Sequence, residues 1–253
     1  MEELKQQYLS RLPDIPRWVE TRDLLFRPGS TVIENLTQDG FVVWSKEDEI
    51  GSVVGQPDPV AIVQAAEDVS ELLAFPENFK NVNALLEDFR AERATIFSAP
   101  TELPPISGHP CRQIGLEEIK TLEHLPEDLL EELSDDLKEE TLVIAALDDA
   151  VPVALAYVAS ETESLWDLSI DTVESHRRKG YATAAVVQLM HLMKKRGKDA
   201  LWGALESNQA SDNLAKRLGF QENDKLWVLT RSTTEHERRK HDHNRNTAIP
   251  RGA

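Results

Sequence analysis

At 253 residues, 40% hydrophobic and 29% charged, the chain has a globular composition and length enough for one large domain or two small ones. A net charge of −17 excludes a general nucleic-acid binder, which needs clustered Lys and Arg for phosphate contacts, and the single cysteine, Cys111, excludes a disulfide framework or a metal knuckle. No run of about 18 apolar residues offers a membrane span, and the opening Met1-Glu2-Glu3 has no apolar core for a signal peptide, so a cytoplasmic location is expected. The acidity suits a cationic amine as a partner, and equally suits solubility alone.

In chain order, residues 41–44 (Phe-Val-Val-Trp) read as a strand, followed by a charged turn and a second apolar stretch at 52–54 before Gly55. Pro57-Asp58-Pro59 then starts a helix over 60–67, with Asp58 as its cap. Val82, Leu85, Leu86 and Phe89 fall at helical spacing and predict a helix over 82–90, with a strand at 94–98. Residues 1–99 are therefore expected to form an N-terminal α/β unit, ended by a linker at 100–110 that holds four prolines and one glycine.

Beyond the linker, 111–116 reads as a short strand. Leu125, Leu129, Leu130, Leu133 and Leu137 mark the apolar face of a helix with Pro126 in its first turn, and Glu127, Asp128, Glu131, Glu132, Asp135, Asp136, Glu139 and Glu140 make its other face acidic. Strands are expected at 141–147, 151–159 and 165–172, the first two joined by a hairpin at Asp148-Asp149-Ala150. A long helix over 181–196 stopped by Gly197 follows, then a strand at 200–205, a helix at 212–218 ending at Gly219, and a last strand at 226–230. Residues 232–253 carry five basic and three acidic residues, few large apolar ones and His236, His241 and His243; this tail is expected to be disordered, without a metal site.

The chemistry concentrates at Arg177-Arg178-Lys179-Gly180-Tyr181-Ala182-Thr183, between a predicted strand and the long helix. Uncapped N–H groups at a helix start, with the helix dipole, bind anions. Gly180 lets backbone approach a phosphate, and three cations stand beside it in an otherwise acidic chain. An ordinary helix start with solvated cations would look the same.

Read as R-x-x-G-x-A after a strand, this segment resembles the pyrophosphate loop of the GNAT N-acetyltransferases. Asn208 to Phe220 resembles the N-x-x-S-x-x-L-A-x-x-L-G-F element that follows the fifth strand in that superfamily, and the resemblance covers about residues 111–231. W-D-L-S-I-D-T with W-G-A-L-E-S-N is also similar to a bacterial subgroup with an extra N-terminal domain. The resemblance implies an α/β (α+β) fold, with a mixed, mostly antiparallel central sheet and flanking helices. It implies acetyl-CoA as co-substrate, entering between the strands at 165–172 and 200–205. The backbone of Thr172 and Val173 would meet the pantetheine and thioester carbonyl. Amides from Arg178 to Thr183, with the charge of Arg177 and Lys179 alongside, would hold the pyrophosphate, and Asn208 and Ser211 would lie along the pantetheine.

A primary amine, expected to be small and cationic, must lose a proton before attack, so a carboxylate base is expected. Glu206, at the end of the fifth strand, is the first candidate, and Asp171 is the second, with Asp167 on its face; a turn cap or an ion pair would equally explain either acid. Ala215 stands where many members carry the tyrosine that protonates the leaving thiolate. That departure supports an alternative, a non-catalytic acyl-CoA sensor or scaffold. The N-terminal unit is expected on the acceptor side, or as a degenerate GNAT-like unit without the basic loop to bind CoA. The sequence leaves the oligomeric state open, a homodimer included.

Overall fold

The computed structural model describes residues 2–34, 40–106, 108–122, 125–126, 129–130, 133, 137 and 140–232. The predicted acidic helix face, Glu140 apart, and the tail from 233 onward lie outside the described residues.

The first half contains α1 (Glu2–Arg11), a 3-10 turn (Pro16–Trp18), α2 (Val19–Phe26), β1 (Thr31–Glu34), β2 (Gly40–Ser45), β3 (Ile50–Gly55), α3 (Pro59–Asp68), β4 (Glu71–Ala74), α4 (Phe79–Leu85) and β5 (Phe89–Ser98). The second half contains β6 (Cys111–Ile114), α5 (Leu116–Ile119), β7 (Val143–Asp148), β8 (Val151–Glu161), β9 (Leu165–Thr172), a 3-10 turn (Glu174–His176), α6 (Tyr181–Lys195), β10 (Asp199–Leu205), α7 (Gln209–Arg217) and β11 (Gln221–Arg231). Leu129, Leu130 and Leu133 are helical between α5 and β7, with Leu133 fully buried.

Several local rules act as the sequence foretells. Asp58 caps α3 by accepting from the Val60 N–H at 2.9 Å. Asp149 and Ala150 take φ values of 45° and 71°, the twist of a two-residue turn matched to the strands β7 and β8. Gly197 and Gly219 end their helices at φ values of 80° and 87°.

The helix expected over 82–90 is a correction. α4 spans Phe79–Leu85, and Phe89 already belongs to β5, because the 3.6-residue spacing of apolar residues runs across the boundary between the two elements. β5 and β11 are also longer than expected, since they pair with each other over ten positions through polar residues such as Glu92 and Lys225.

The strands form one mixed sheet in the order β1-β2-β3-β4-β11-β5-β10-β9-β8-β7-β6. The first half runs three successive antiparallel strands, β1 to β3, and the second four, β6 to β9; each then makes a parallel pair around a helix, β3-α3-β4 in the first and β9-α6-β10 in the second. Each half's last strand is inserted beside the other half: β5 lies between β10 and β11, and β11 between β5 and β4. The sheet therefore continues through both halves, and neither completes its own sheet.

Alternate residues of a strand face opposite sides. On one side α6 packs over Ala154, Ala156, Trp166, Leu168, Ile170 and Trp202. On that same side α3 and α4 cover Val42, Val53, Leu72 and Leu229. The opposite side carries α1 and α2 over Val43, Leu73, Ile96 and Leu201, and the helical stretch with Leu133 over Leu155 and Tyr157. Trp166 and Trp202 are fully buried in this core.

Candidate active site

β9 and β10 pair at only three positions, Leu165 with Asp199, Trp166 with Ala200 and Asp167 with Leu201. Past these the strands part, and both continue, to Thr172 and Leu205, without a ladder between them. The Asp167 carboxylate sits where they part, accepting the N–H groups of Leu168, at 2.9 Å, and Gly203. It satisfies donors that a continuing sheet would have paired, and so forms the inner end of the splay.

At the mouth of the splay the chain enters α6. Arg178 has φ 61° and Gly180, the helix N-cap, has φ 94°. No side chain caps α6, whereas Asp58 caps α3 and Asn208 caps α7. The first-turn amides of Tyr181, Ala182 and Thr183 are thus left to an external acceptor. Two left-handed residues at a helix start are the backbone geometry of an anion site. Arg177, Arg178 and Lys179 are exposed around it, with Arg177 Nε donating to the Thr172 carbonyl at 3.3 Å.

The linker supports this loop. His109 stacks on Tyr181 with ring centroids 3.7 Å apart, and its Nε2 lies 2.9 Å from the Lys179 carbonyl. The Asp148 carboxylate accepts from the Tyr181 hydroxyl and faces His176 Nε2 at 3.1 Å; these bonds, the tyrosine's first, hold its carboxyl below the usual range. His191 meets the Pro104 carbonyl at 2.8 Å, so the proline-rich segment lies along α6.

The remaining predicted residues take varied places. Val173 donates to the Val153 carbonyl at 3.0 Å and accepts from the His176 N–H at 2.8 Å. Thr172 is 6% exposed, and its hydroxyl has no hydrogen-bond partner among the described residues. Asn208 accepts from the Ser211 N–H at 3.0 Å, while the buried Ser211 hydroxyl accepts from the Trp202 indole at 2.9 Å. Ala215 is fully buried in the core under α7.

The two candidate bases differ in surroundings. Glu206 pairs with Arg93 at 2.7 Å and Lys225 at 3.0 Å, and these bonds, that to Arg93 first, hold its carboxyl below the usual range. Asp171 shares one side of β9 with Ser169 and Asp167, the side away from α6, and accepts from the Tyr157 hydroxyl at 3.2 Å.

Sequence reasoning missed Glu20. From α2 it hydrogen-bonds Asp167 and accepts from the Ser160 hydroxyl at 2.9 Å. Burial, with Glu20 alongside, pushes Asp167 well above the usual carboxylate range, and burial raises Glu20 as well. Two acids 147 positions apart leave no sequence signal.

A carboxyl whose folded-state pKa is raised keeps its proton where the unfolded chain has lost it. Its contribution to stability is full below the ordinary value of about 4 and falls as pH rises through the folded-state value. Glu20→Gln should therefore gain on the parent as pH rises. The expected difference in thermal midpoint is about 2–4 °C larger at pH 8 than at pH 5, the shift of roughly 1 kcal/mol in a chain of this size; a difference constant with pH would contradict the shared-proton reading.

The N-terminal half repeats the splay and closes it. β3 and β4 pair from Ile50 with Glu71 to Ser52 with Leu73 and then part. The Asn78 side chain, 1% exposed, fills the gap: Nδ2 donates to the carbonyls of Val53 at 2.7 Å and Gly55 at 3.1 Å, and Oδ1 accepts from the Phe75 N–H at 2.8 Å. The turn into α3, Gln56-Pro57-Asp58-Pro59, has no cation, and the Asp58 carboxylate occupies the helix start.

The family model described as GNAT acetyltransferase matches residues 119–229. This segment contains the splay, the loop and α7. Over residues 119–229 the chain is similar to the GNAT acetyltransferases. The match supports an acyltransferase, and the loop at Arg177–Tyr181 lies at the mouth of the splay between β9 and β10.

Solved structures extend the likeness in fold to both halves. A GCN5-related N-acetyltransferase-like protein from Streptococcus suis is 18% identical with a TM-score of 0.67, over 91% of this chain and 100% of its own. A GCN5-related N-acetyltransferase from Kribbella flavida is 14% identical with a TM-score of 0.59, over 85% and 94%. A tandem GNAT protein from the clavulanic acid biosynthesis pathway is 12% identical with a TM-score of 0.55, over 92% and 96%. No curated protein matches the chain. Among the described residues, no helix is long and apolar enough to cross a membrane.

Proposed function

We propose that the protein transfers an acetyl group from acetyl-CoA to a primary amine, by direct attack within a ternary complex, with a small cationic molecule as acceptor. The observation that carries this reading is the conjunction of an open splay past Asp167 with an uncapped, cation-flanked turn at Gly180. Acetyl-CoA supplies the activated acyl thioester. The amides of Arg178 to Thr183 hold its diphosphate, and Arg177, Arg178 and Lys179 neutralise the charge. The separated edges of β9 and β10, with the backbone of Thr172 at the mouth, receive the pantetheine, while Val173 flanks it with its N–H and carbonyl already bonded to Val153 and His176. Asn208 and Ser211 bound that channel by fixing the start of α7 and Trp202.

With α6 and the diphosphate on one side of the sheet, the amine approaches from the other, where Asp171 stands. Asp171 takes the proton that the amine must lose, and Tyr157 orients its carboxylate. Glu206 is the second candidate, but its two cations stabilise the anion and make it the weaker base. With Ala215 in the core, no side chain is assigned to protonate the leaving thiolate, which needs little help because an unperturbed thiol has a pKa of about 8.5. A cytoplasmic location accords with a metabolic acetyl-CoA supply.

The test is thiol release from acetyl-CoA with a panel of primary amines. Asp171→Asn is expected to lower kcat by about a hundredfold, within the usual range for a general base, and to leave acetyl-CoA affinity unchanged. Parent activity retained by Asp171→Asn and lost in Glu206→Gln would transfer the role to Glu206.

A further inference from the structure

The turn into α6 holds a conformation that its own residues do not favour. Arg178, a non-glycine residue, sits at φ 61°, where an L side chain is strained, and Gly180 at φ 94° is free to leave its conformation. Such a turn persists only where its surroundings fix it. The peptide between Lys179 and Gly180 matters most. A peptide is planar and trans, so its carbonyl and its N–H point to opposite sides. The Gly180 N–H, like those of Tyr181, Ala182 and Thr183, has no acceptor among the described residues. Were this peptide to turn over, the Lys179 oxygen would take the place of that N–H and repel a diphosphate.

One side chain fixes the peptide, and it comes from the linker between the halves. His109 Nε2 lies 2.9 Å from the Lys179 carbonyl oxygen. A carbonyl only accepts, so Nε2 carries the proton and donates it. The oxygen is thereby held toward His109, and the Gly180 N–H is turned away from it. The ring also stacks on Tyr181, with centroids 3.7 Å apart, and lies 3.5 Å from where a Cβ on Gly180 would stand.

His109 is itself anchored on both sides along the chain. The Pro104 carbonyl accepts from His191 of α6, and the Pro110 carbonyl accepts from the Leu147 N–H of β7, each at 2.8 Å. Its stacking partner is anchored too. Tyr181 donates its hydroxyl to Asp148 and meets the His176 ring, with centroids 5.6 Å apart.

We infer that His109 is a positioning residue of the cofactor site, acting through the Lys179 carbonyl to hold the turn with its amides free for a diphosphate. His109 lies outside residues 119–229, the segment that the family model matches. The linker of this chain therefore completes the site. The inference rests on the proposed binding of acetyl-CoA at this turn, and adds the side chain that sets the turn's conformation.

The test is calorimetric titration of acetyl-CoA into the full chain and three variants, each with a circular dichroism spectrum matching the parent. His109→Ala removes ring and donor, His109→Phe keeps a stacking ring without the donor, and His109→Gln restores an N–H donor. Affinity is expected to fall about tenfold, or 1.4 kcal/mol, in His109→Ala and His109→Phe, and to return within about threefold of the parent in His109→Gln. In thiol release the loss should fall on KM for acetyl-CoA, with kcat and the KM of the amine unchanged. Parent-like affinity in His109→Ala or His109→Phe, or no recovery in His109→Gln, overturns the assignment. No acetyl-CoA binding by a folded parent overturns it together with the acetyl-transfer reading. Binding that depends on His109 without thiol release to any amine sinks acetyl transfer alone and leaves His109 in its role.

Discussion

Gly180→Glu is expected to abolish acetyl-CoA binding, a loss of at least about a hundredfold, equivalent to roughly 2.7 kcal/mol. Two effects add. At φ 94° an L side chain is strained, so the loop must distort to accept one. The carboxylate then stands at the uncapped start of α6, where it competes for the amides and repels a diphosphate. The fold itself should survive, because a Cβ at this position would meet only the His109 ring, at 3.5 Å. Calorimetry on the variant, beside a circular dichroism spectrum matching the parent, checks both parts. Retained affinity would place the diphosphate elsewhere.

The largest effect on stability is expected at Trp202. The ring is fully buried, packs edge-on to Phe220 at 5.4 Å between centroids, and donates to the Ser211 hydroxyl at 2.9 Å. Trp202→Ala removes the apolar contact, leaves a cavity and strips Ser211 of its donor. The expected cost is about 3–5 kcal/mol, or a thermal midpoint lowered by roughly 6–15 °C. A change below about 1 kcal/mol would mean that the second half repacks freely there. Acetyl-CoA affinity should fall with it, because Trp202 holds Ser211 and thereby α7 beside the splay.

Much of the second half was legible because its signals are local. β9 has the expected bounds, α6 starts at Tyr181, and Gly197 and Gly219 end their helices with the positive φ that their position implied. The first 34 residues were opaque for a physical reason. The inward faces of α1 and α2 are partly polar: Lys5 is fully buried and donates to the Arg27 and Pro28 carbonyls, while Arg22 is 4% exposed and donates to the Leu9 and Leu12 carbonyls. Such a face carries no apolar periodicity to read.

Long-range pairing was the other blind spot. The exchange of β5 and β11 between the halves, the Asn78 plug and the Glu20–Asp167 pair each join residues that only the folded chain brings together. Strand order in a large sheet depends on such non-local contacts, and no local motif encodes them. In the first half the strand that pairs in parallel with β3 around α3 is β4, which the sequence reading did not pick out.

Direct titration of acetyl-CoA into the full-length parent tests the central claim. One binding event per chain is expected, assigned to the splay between β9 and β10, because Asn78 and Asp58 occupy the equivalent positions in the first half. No binding by the folded protein, or two equivalent sites per chain, would contradict the account.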